Sequence, residues 1–329
     1  EQVSYTRALE HWFWNLIKKW WFLVIPFSLL SLFVPGITHL SRAPGYLLTP
    51  LIALTFIMSF YNASLTGLRA FVYVTIIGIL ATLIKFLVPF LEISIFSRLG
   101  TITTLFFLSQ LFALVTSWWA LKKKTGKITQ NDDVYDRKIK ELAKNKSLWL
   151  IGFSMLGITL FNNLDIIFVK QFLTPIDAGI YSAWSLFAKM VFFVIAPISG
   201  VAYVFFASDQ DKKLKDVALI LFVVGLVIVG IVGFIAFEYF GSFIVNLMFG
   251  HRFDAIVPYL GKAAIFGSCY SIVQFINNYF MAKNSKFALL LPVLVVFFFA
   301  SLLLFGKNLE QVIMIDLGLG IVSVIFYFG

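Results

Sequence analysis

The chain has 329 residues, of which 60% are hydrophobic and 13% charged, and a formal net charge of +10. Soluble globular chains run at about 25% charged and about 45–50% apolar, so too few polar side chains remain here to coat a water-soluble core. The basic balance does not indicate nucleic acid, because Lys and Arg collect in short stretches between apolar runs.

The surplus apolar surface must face lipid, where backbone polar groups are satisfied inside helices or a closed barrel. Barrel strands alternate apolar and polar residues in segments of about ten. The apolar runs here are continuous and about 20 residues long, the length a helix needs to cross roughly 30 Å of hydrocarbon. The expected fold is all-α, a polytopic transmembrane helical bundle. Ten spans are predicted, over 20–41, 46–66, 71–91, 100–120, 148–170, 179–206, 215–237, 259–282, 287–306 and 311–329. The one long hydrophilic connection, 121–147, divides four spans from six. It makes residues 1–120 a first lobe, 121–147 a basic linker and 148–329 a second lobe.

The chain opens with Glu1, shows no signal-peptide pattern and stops at Gly329 at the end of an apolar run, which reads as truncation. Trp12, Trp14, Trp20 and Trp21 crowd the start of the first span, as an interfacial aromatic belt does. In the second span Thr55, Ser59, Asn62 and Thr66 form a polar stripe, and Arg69 follows in the next turn. The third span holds Lys85, with Glu92 beyond it. A charge at the bilayer centre costs from about 2.5 to more than ~10 kcal/mol, so those retained usually face a bundle interior or a wet cavity. Lys85 has that option, or it snorkels along its helix to the interface. Arg69 either receives an anionic head group or follows the excess of basic residues on the cytoplasmic side. In the linker, DRKIKELAKNK is either an amphipathic helix on anionic lipid or a solvated segment. The NDD at 131–133 is not an acid pair with any catalytic setting.

In the second lobe, Asp165 is the strongest candidate. Asn162 precedes it on the same helical face. The pair fits a cavity or ion-coupling role, or an interhelical hydrogen bond or salt bridge. Lys189 lies on a stripe with Tyr181 and Ser185, facing a cavity or snorkelling. The connection 238–258 carries Glu238, His251, Arg252 and Asp254, which read as helix-end polar residues more readily than as an active site. A second polar stripe, Gly267, Ser271, Gln274 and Asn278, bordered by Asn277, either bonds sugar or glues helices together. Asp316 is the last intramembrane acid and a second ion-coupling candidate. Cys269 reads as a small packing residue. His11, His39 and His251 have no ligand spacing, so no metal is expected, and no phosphate-cradling Gly-rich loop or cofactor box is present in the sequence.

With the start placed in the cytoplasm, 18 Lys and Arg fall on that side and 6 on the other. This excess puts both ends of the chain in the cytoplasm. A diffuse internal repeat, of the kind common in transporters, lays 55–71 over 271–287 at an offset of 216, matching Asn62 to Asn278 and Phe71 to Phe287.

These features together resemble the polysaccharide flippases (Wzx-like O-antigen translocases) of the multidrug/oligosaccharidyl-lipid/polysaccharide exporter superfamily. The resemblance is carried by FNNLDIIFVKQFLTPIDAGIYSAWSLFAKMVFFVIAPISGVAYVFFA (161–207), LMFGHRFDAIVPYLGKAAIFGSCYSIVQFINNYFMAKNSKF (247–287) and TGLRAFVYVTIIGILATLIKFLV (66–88). It covers nearly the whole chain with diffuse motifs. One departure is FFASDQ (205–210), where the family often has Pro. Family lobes hold six helices, so the resemblance implies that two helices precede those seen here.

The function this implies is flipping of a polyprenyl-diphosphate-linked oligosaccharide across a bacterial cytoplasmic membrane by alternating access, without chemistry on the substrate. Asp165, Lys189, Lys85, Asn162, Arg69, Gln274 and Asn278 are the expected cavity residues, and Asp165 and Asp316 the coupling residues. Membrane lipids and polysaccharide assembly enzymes are the expected partners. A multidrug exporter or peptidoglycan-precursor flippase of the same fold stays open, as does a membrane-embedded glycan polymerase or glycosyltransferase. Basic intramembrane residues favour an anionic lipid carrier over an organic cation.

Overall fold

In a computed structural model, residues 2–20, 42–87, 98–126, 146–207 and 211–328 are described. The predicted span 20–41 beyond Trp20, Trp21, Glu92 and linker residues 127–145 with their NDD lie outside them. The helices are α1 (Gln2–Trp20), α2 (Arg42–Gly67), α3 (Phe71–Phe86), α4 (Arg98–Thr125), α5 (Lys146–Phe172), α6 (Pro175–Ala207), α7 (Lys212–Phe249), α8 (Leu260–Ala282), α9 (Leu290–Phe305) and α10 (Leu309–Phe328). Short 3₁₀ turns over His251–Tyr259 and Lys286–Leu289 flank α8. Eight of the described helices are long and apolar enough to cross a membrane. The protein is an all-α, multi-pass membrane protein. It divides into two compact units, Glu1–Lys144 and Asn145–Gly329.

Three sequence boundaries move. α4 runs through the start of the predicted linker to Thr125, because Lys122, Lys123 and Lys124 complement a helix C-terminus. α7 continues past residue 237 to Phe249, since nothing in EYFGSFIVNLMF breaks a helix before Gly250, whose φ is 70°. Glu238 is therefore helical and not part of a long loop. α1 begins at Gln2, well before the predicted first span.

In the first unit, α2 and α3 pack on α4. Tyr61, Leu65, Ala113 and Leu121 form a small buried core. α1 runs antiparallel to α2. Phe13 stacks on Phe60 with ring centroids 4.0 Å apart, and the Tyr61 hydroxyl donates to Glu10 at 3.0 Å. Trp14 donates its indole N–H to the Tyr61 oxygen (3.1 Å), so this tryptophan serves an interhelical hydrogen bond as well as any interfacial belt.

In the second unit, α8 is the central helix and is buried along most of its length. α6, α7, α10 and α5 surround it, while α7 and α9 expose apolar side chains as lipid-facing helices do. Close approach depends on glycine. A Cβ on Gly267 would meet the carbonyl of Ala188, and one on Gly157 would lie 2.7 Å from the Pro292 ring.

The same turn occurs once in each unit. Arg69 and Asn284 both take the left-handed conformation, at φ 55° and 53°. After α2, Leu68, Arg69 and Ala70 donate to the carbonyls of Ser64, Thr66 and Leu65. After α8, Lys283, Asn284 and Ser285 donate to those of Tyr279, Met281 and Phe280. The three bonds superpose at an offset of 215, one residue from the sequence alignment. Asn62 therefore corresponds to Asn277 and not Asn278. Each accepts a hydroxyl from the last described helix of its unit, Ser117 at 2.9 Å and Tyr327 at 2.8 Å.

Candidate functional site

The second unit buries polar residues where an apolar bundle would bury leucine. On α10, Asp316, Gly320, Ser323 and Tyr327 recur at spacings of four, three and four, so they share one face, and all are buried. On α5 the buried face carries Ser154, Phe161 and Asp165. α6 contributes Tyr181 and Ser185, both fully buried, and the half-buried Lys189.

These faces converge on one hydroxyl. Tyr181 donates to Asp165 Oδ2 at 2.6 Å and also contacts Asp316 Oδ2. A phenol has a single hydrogen. For both contacts to be hydrogen bonds, a second hydrogen must sit on a carboxyl group, with the tyrosine oxygen accepting it. Three oxygens from three helices would then share two protons. Asp165 is 1% exposed and Asp316 0% exposed, so neither carboxyl meets bulk water. The other carboxyl oxygens, Asp165 Oδ1 and Asp316 Oδ1, are buried without a protein partner, as is Ser185 Oγ.

Lys189 lies two turns from Tyr181 on the same stripe. Helical side chains lean towards the N-terminus of their helix, which for α6 means towards Ser185 and Tyr181. The ammonium is within Coulombic reach of both carboxyls, though no ion pair joins it to either. Trp184 flanks Tyr181 at 5.4 Å and stacks on Phe266 at 5.8 Å. Its indole N–H donates to the Tyr259 carbonyl at 2.9 Å, which fixes the wall of the site.

A second polar layer lies deeper along the same helices. Asn277 donates to Ser154 Oγ at 2.6 Å and accepts from Tyr327 at 2.8 Å, joining α5, α8 and α10. At the turn between α8 and α9, Tyr279 donates to Asp216 of α7 at 2.7 Å, and Lys283 contacts both.

Of the residues expected from sequence, the structure brings together Asp165, Asp316 and Lys189. Asn162 lies one turn from Asp165 and is half-buried. Gln274 has a buried side-chain oxygen without a protein partner, and Asn278 is buried beside Asn277. Lys85 and Arg69 belong to the first unit, where Lys85 stands 5.2 Å over the Phe106 ring and Arg69 is exposed in its turn. Glu238, His251, Arg252 and Asp254 are all exposed, with His251 paired to Asp254 at 3.3 Å. Among the described residues, no three or more His, Cys, Asp or Glu side chains gather as metal ligands.

No family model, curated protein or solved structure matches the chain.

Sequence reading missed the bridging role of Tyr181 and the participation of Ser154, Ser323 and Tyr327. The α10 stripe was a usable signal, because four polar or small residues on one face of an otherwise apolar helix mark the side turned from lipid. What the arrangement can do chemically is hold a proton between two carboxyls and a phenol, out of water, with a cation close by.

Proposed function

We propose that the protein is a secondary transporter that flips a polyprenyl-diphosphate-linked oligosaccharide across a bacterial cytoplasmic membrane by alternating access, driven by a proton gradient. The observation that carries this reading is the buried Asp165–Tyr181–Asp316 cluster with Lys189 beside it. Intramembrane ionisable groups in a bundle interior mark ion or proton pathways. A tyrosine hydroxyl bridging two carboxyls suits a proton better than a metal cation, which would need several oxygens turned to it and no ammonium nearby. Lys189 favours an anionic carrier head group over an organic cation. The 18-to-6 bias of basic residues supports cytoplasmic placement of both chain ends. Polysaccharide assembly enzymes are the partners this reading implies.

The test is complementation with the full-length gene in a bacterium deleted for its own polysaccharide flippase, with wild type beside Asp165→Ala and Lys189→Ala. Surface glycan restored by wild type and lost in either variant at equal protein level supports the reading. Failure of wild type across several glycan types, with normal insertion, overturns it.

A further inference from the structure

The carboxyl pair is buried, yet a coupled proton must reach it from solution. α5 and α10 run antiparallel and are joined at two levels, Asp165 to Asp316 through Tyr181 and Ser154 to Tyr327 through Asn277. On each helix the two levels are three turns, about 16 Å, apart. Between them the polar face of α10 carries Ser323, which is 0% exposed and whose hydroxyl has no protein partner. Gln274, one turn from Asn277 on the same side of α8, has a partnerless buried oxygen as well. Buried polar groups of this kind are ordinarily satisfied by internal water.

An aromatic cluster lies between the two levels. Phe161 is 0% exposed and sits on α5 between the two levels, one turn from Asp165 and two from Ser154. Its ring packs against Phe266, Tyr270 and Phe298 at 6.2, 5.6 and 5.9 Å. On the α8 side, Phe266 and Cys269 fill the notch at Gly320. An aromatic plug thus separates an inner polar layer from the carboxyl pair.

We propose that the pair exchanges its proton with the solution at the α8–α9 turn end along this seam, through Tyr327 and Ser323, and that Phe161 is the gate. The inference rests on the proton-coupled reading above. Each hydroxyl or water along the way accepts one hydrogen and passes one on, and the last O–H bond forms at Asp316 or Asp165. Nothing is oxidised or reduced. Asn277 is a positioning residue, because it accepts from Tyr327 and holds that hydroxyl at the seam. The groups facing the pair are Asp165 from α5, Tyr181 and Lys189 from α6, Tyr270 from α8 and Asp316 from α10. α9 has no titratable side chain; on α7, Lys212, Lys213, Lys215 and Asp216 lie in the first turns, and Glu238, three turns before the end, sets its carboxyl against Gly261 of α8.

The experiment is infrared difference spectroscopy on the full-length protein in lipid vesicles, following the protonated-carboxyl band after a switch from H₂O to D₂O. Asp165→Asn and Asp316→Asn first assign that band to the pair. Ser323→Ala and Tyr327→Phe are expected to slow its exchange by about tenfold or more, with the pH midpoint of the band unchanged. Phe161→Leu and Phe161→Ala are expected to speed it, the alanine more. Wild-type exchange rates in Ser323→Ala and Tyr327→Phe would overturn the route, even with the pair assigned. Unchanged rates in both Phe161 variants would overturn the gate. A band indifferent to both Asn variants would instead sink the proton-coupled reading, an outcome distinct from failure of the route alone.

Discussion

Asp165 and Asp316 meet at one atom, the hydroxyl oxygen of Tyr181, although they come from the first and last helices of their unit. Two carboxyls so placed, out of water and near a single cation, act as one titrating unit. Their protons belong to the cluster and not to either residue.

Tyr181→Phe keeps the ring and removes the bridging hydroxyl. The two carboxyls then face each other without a bridge. Complementing activity should fall about tenfold or more at equal protein level, measured as surface glycan per cell. Activity near wild type would show that the bridge is structural.

Asp165→Asn and Asp316→Asn should each lose nearly as much activity as the double variant, since groups that work as a unit are non-additive. Transport rates in proteoliposomes for the singles and the double test this. Losses that multiply would mean two independent sites.

Gly267→Val places side-chain atoms against the backbone carbonyl of Ala188. The α6–α8 contact must open, at a stability loss of about 1–3 kcal/mol or more. Gly152→Ala, where an added Cβ meets nothing within 4 Å, is the control and should be close to neutral. Thermal unfolding in detergent separates the two.

Asn62→Leu and Asn277→Leu remove equivalent acceptors in the two units. Each should destabilise by about 1 kcal/mol, with Asn277 the costlier because it also donates to Ser154. Denaturation followed separately in each unit by a local fluorophore would measure both.

Burial pushes the Lys283 ammonium down, but its hydrogen bonds to Tyr279 and Asp216 and their charges push it further up, so its pKa is raised above the usual lysine value. A raised folded-state value stabilises fully below the unfolded lysine pKa of about 10.4 and loses that stabilisation as pH climbs through the folded value. The gap in melting temperature between wild type and Lys283→Met should therefore persist at pH 9 and close in the alkaline range above it. A gap independent of pH would mean that packing of the lysine stem, and not its charge, ties α8 to α7.

Composition and run length determined the fold class. With 13% charged residues and apolar runs of membrane-spanning length, only a helical bundle satisfies the backbone in lipid. Local sequence also marked the residues worth watching. Asp165, Lys189 and Asp316 were conspicuous because ionisable groups are costly in apolar helices. Tertiary structure alone decided which of them meet. Helical periodicity places Asp165 and Asp316 on faces of their own helices, but no spacing within one helix says that two faces far apart in sequence close on the same tyrosine. Tyr181 and Tyr327 were hidden for a related reason. A tyrosine in an aromatic-rich chain looks like packing until its hydroxyl is seen among buried acceptors. The repeat was legible to within one residue, and the turn bonds corrected it, because hydrogen-bond register is set by backbone geometry and tolerates no slip, whereas side-chain similarity does.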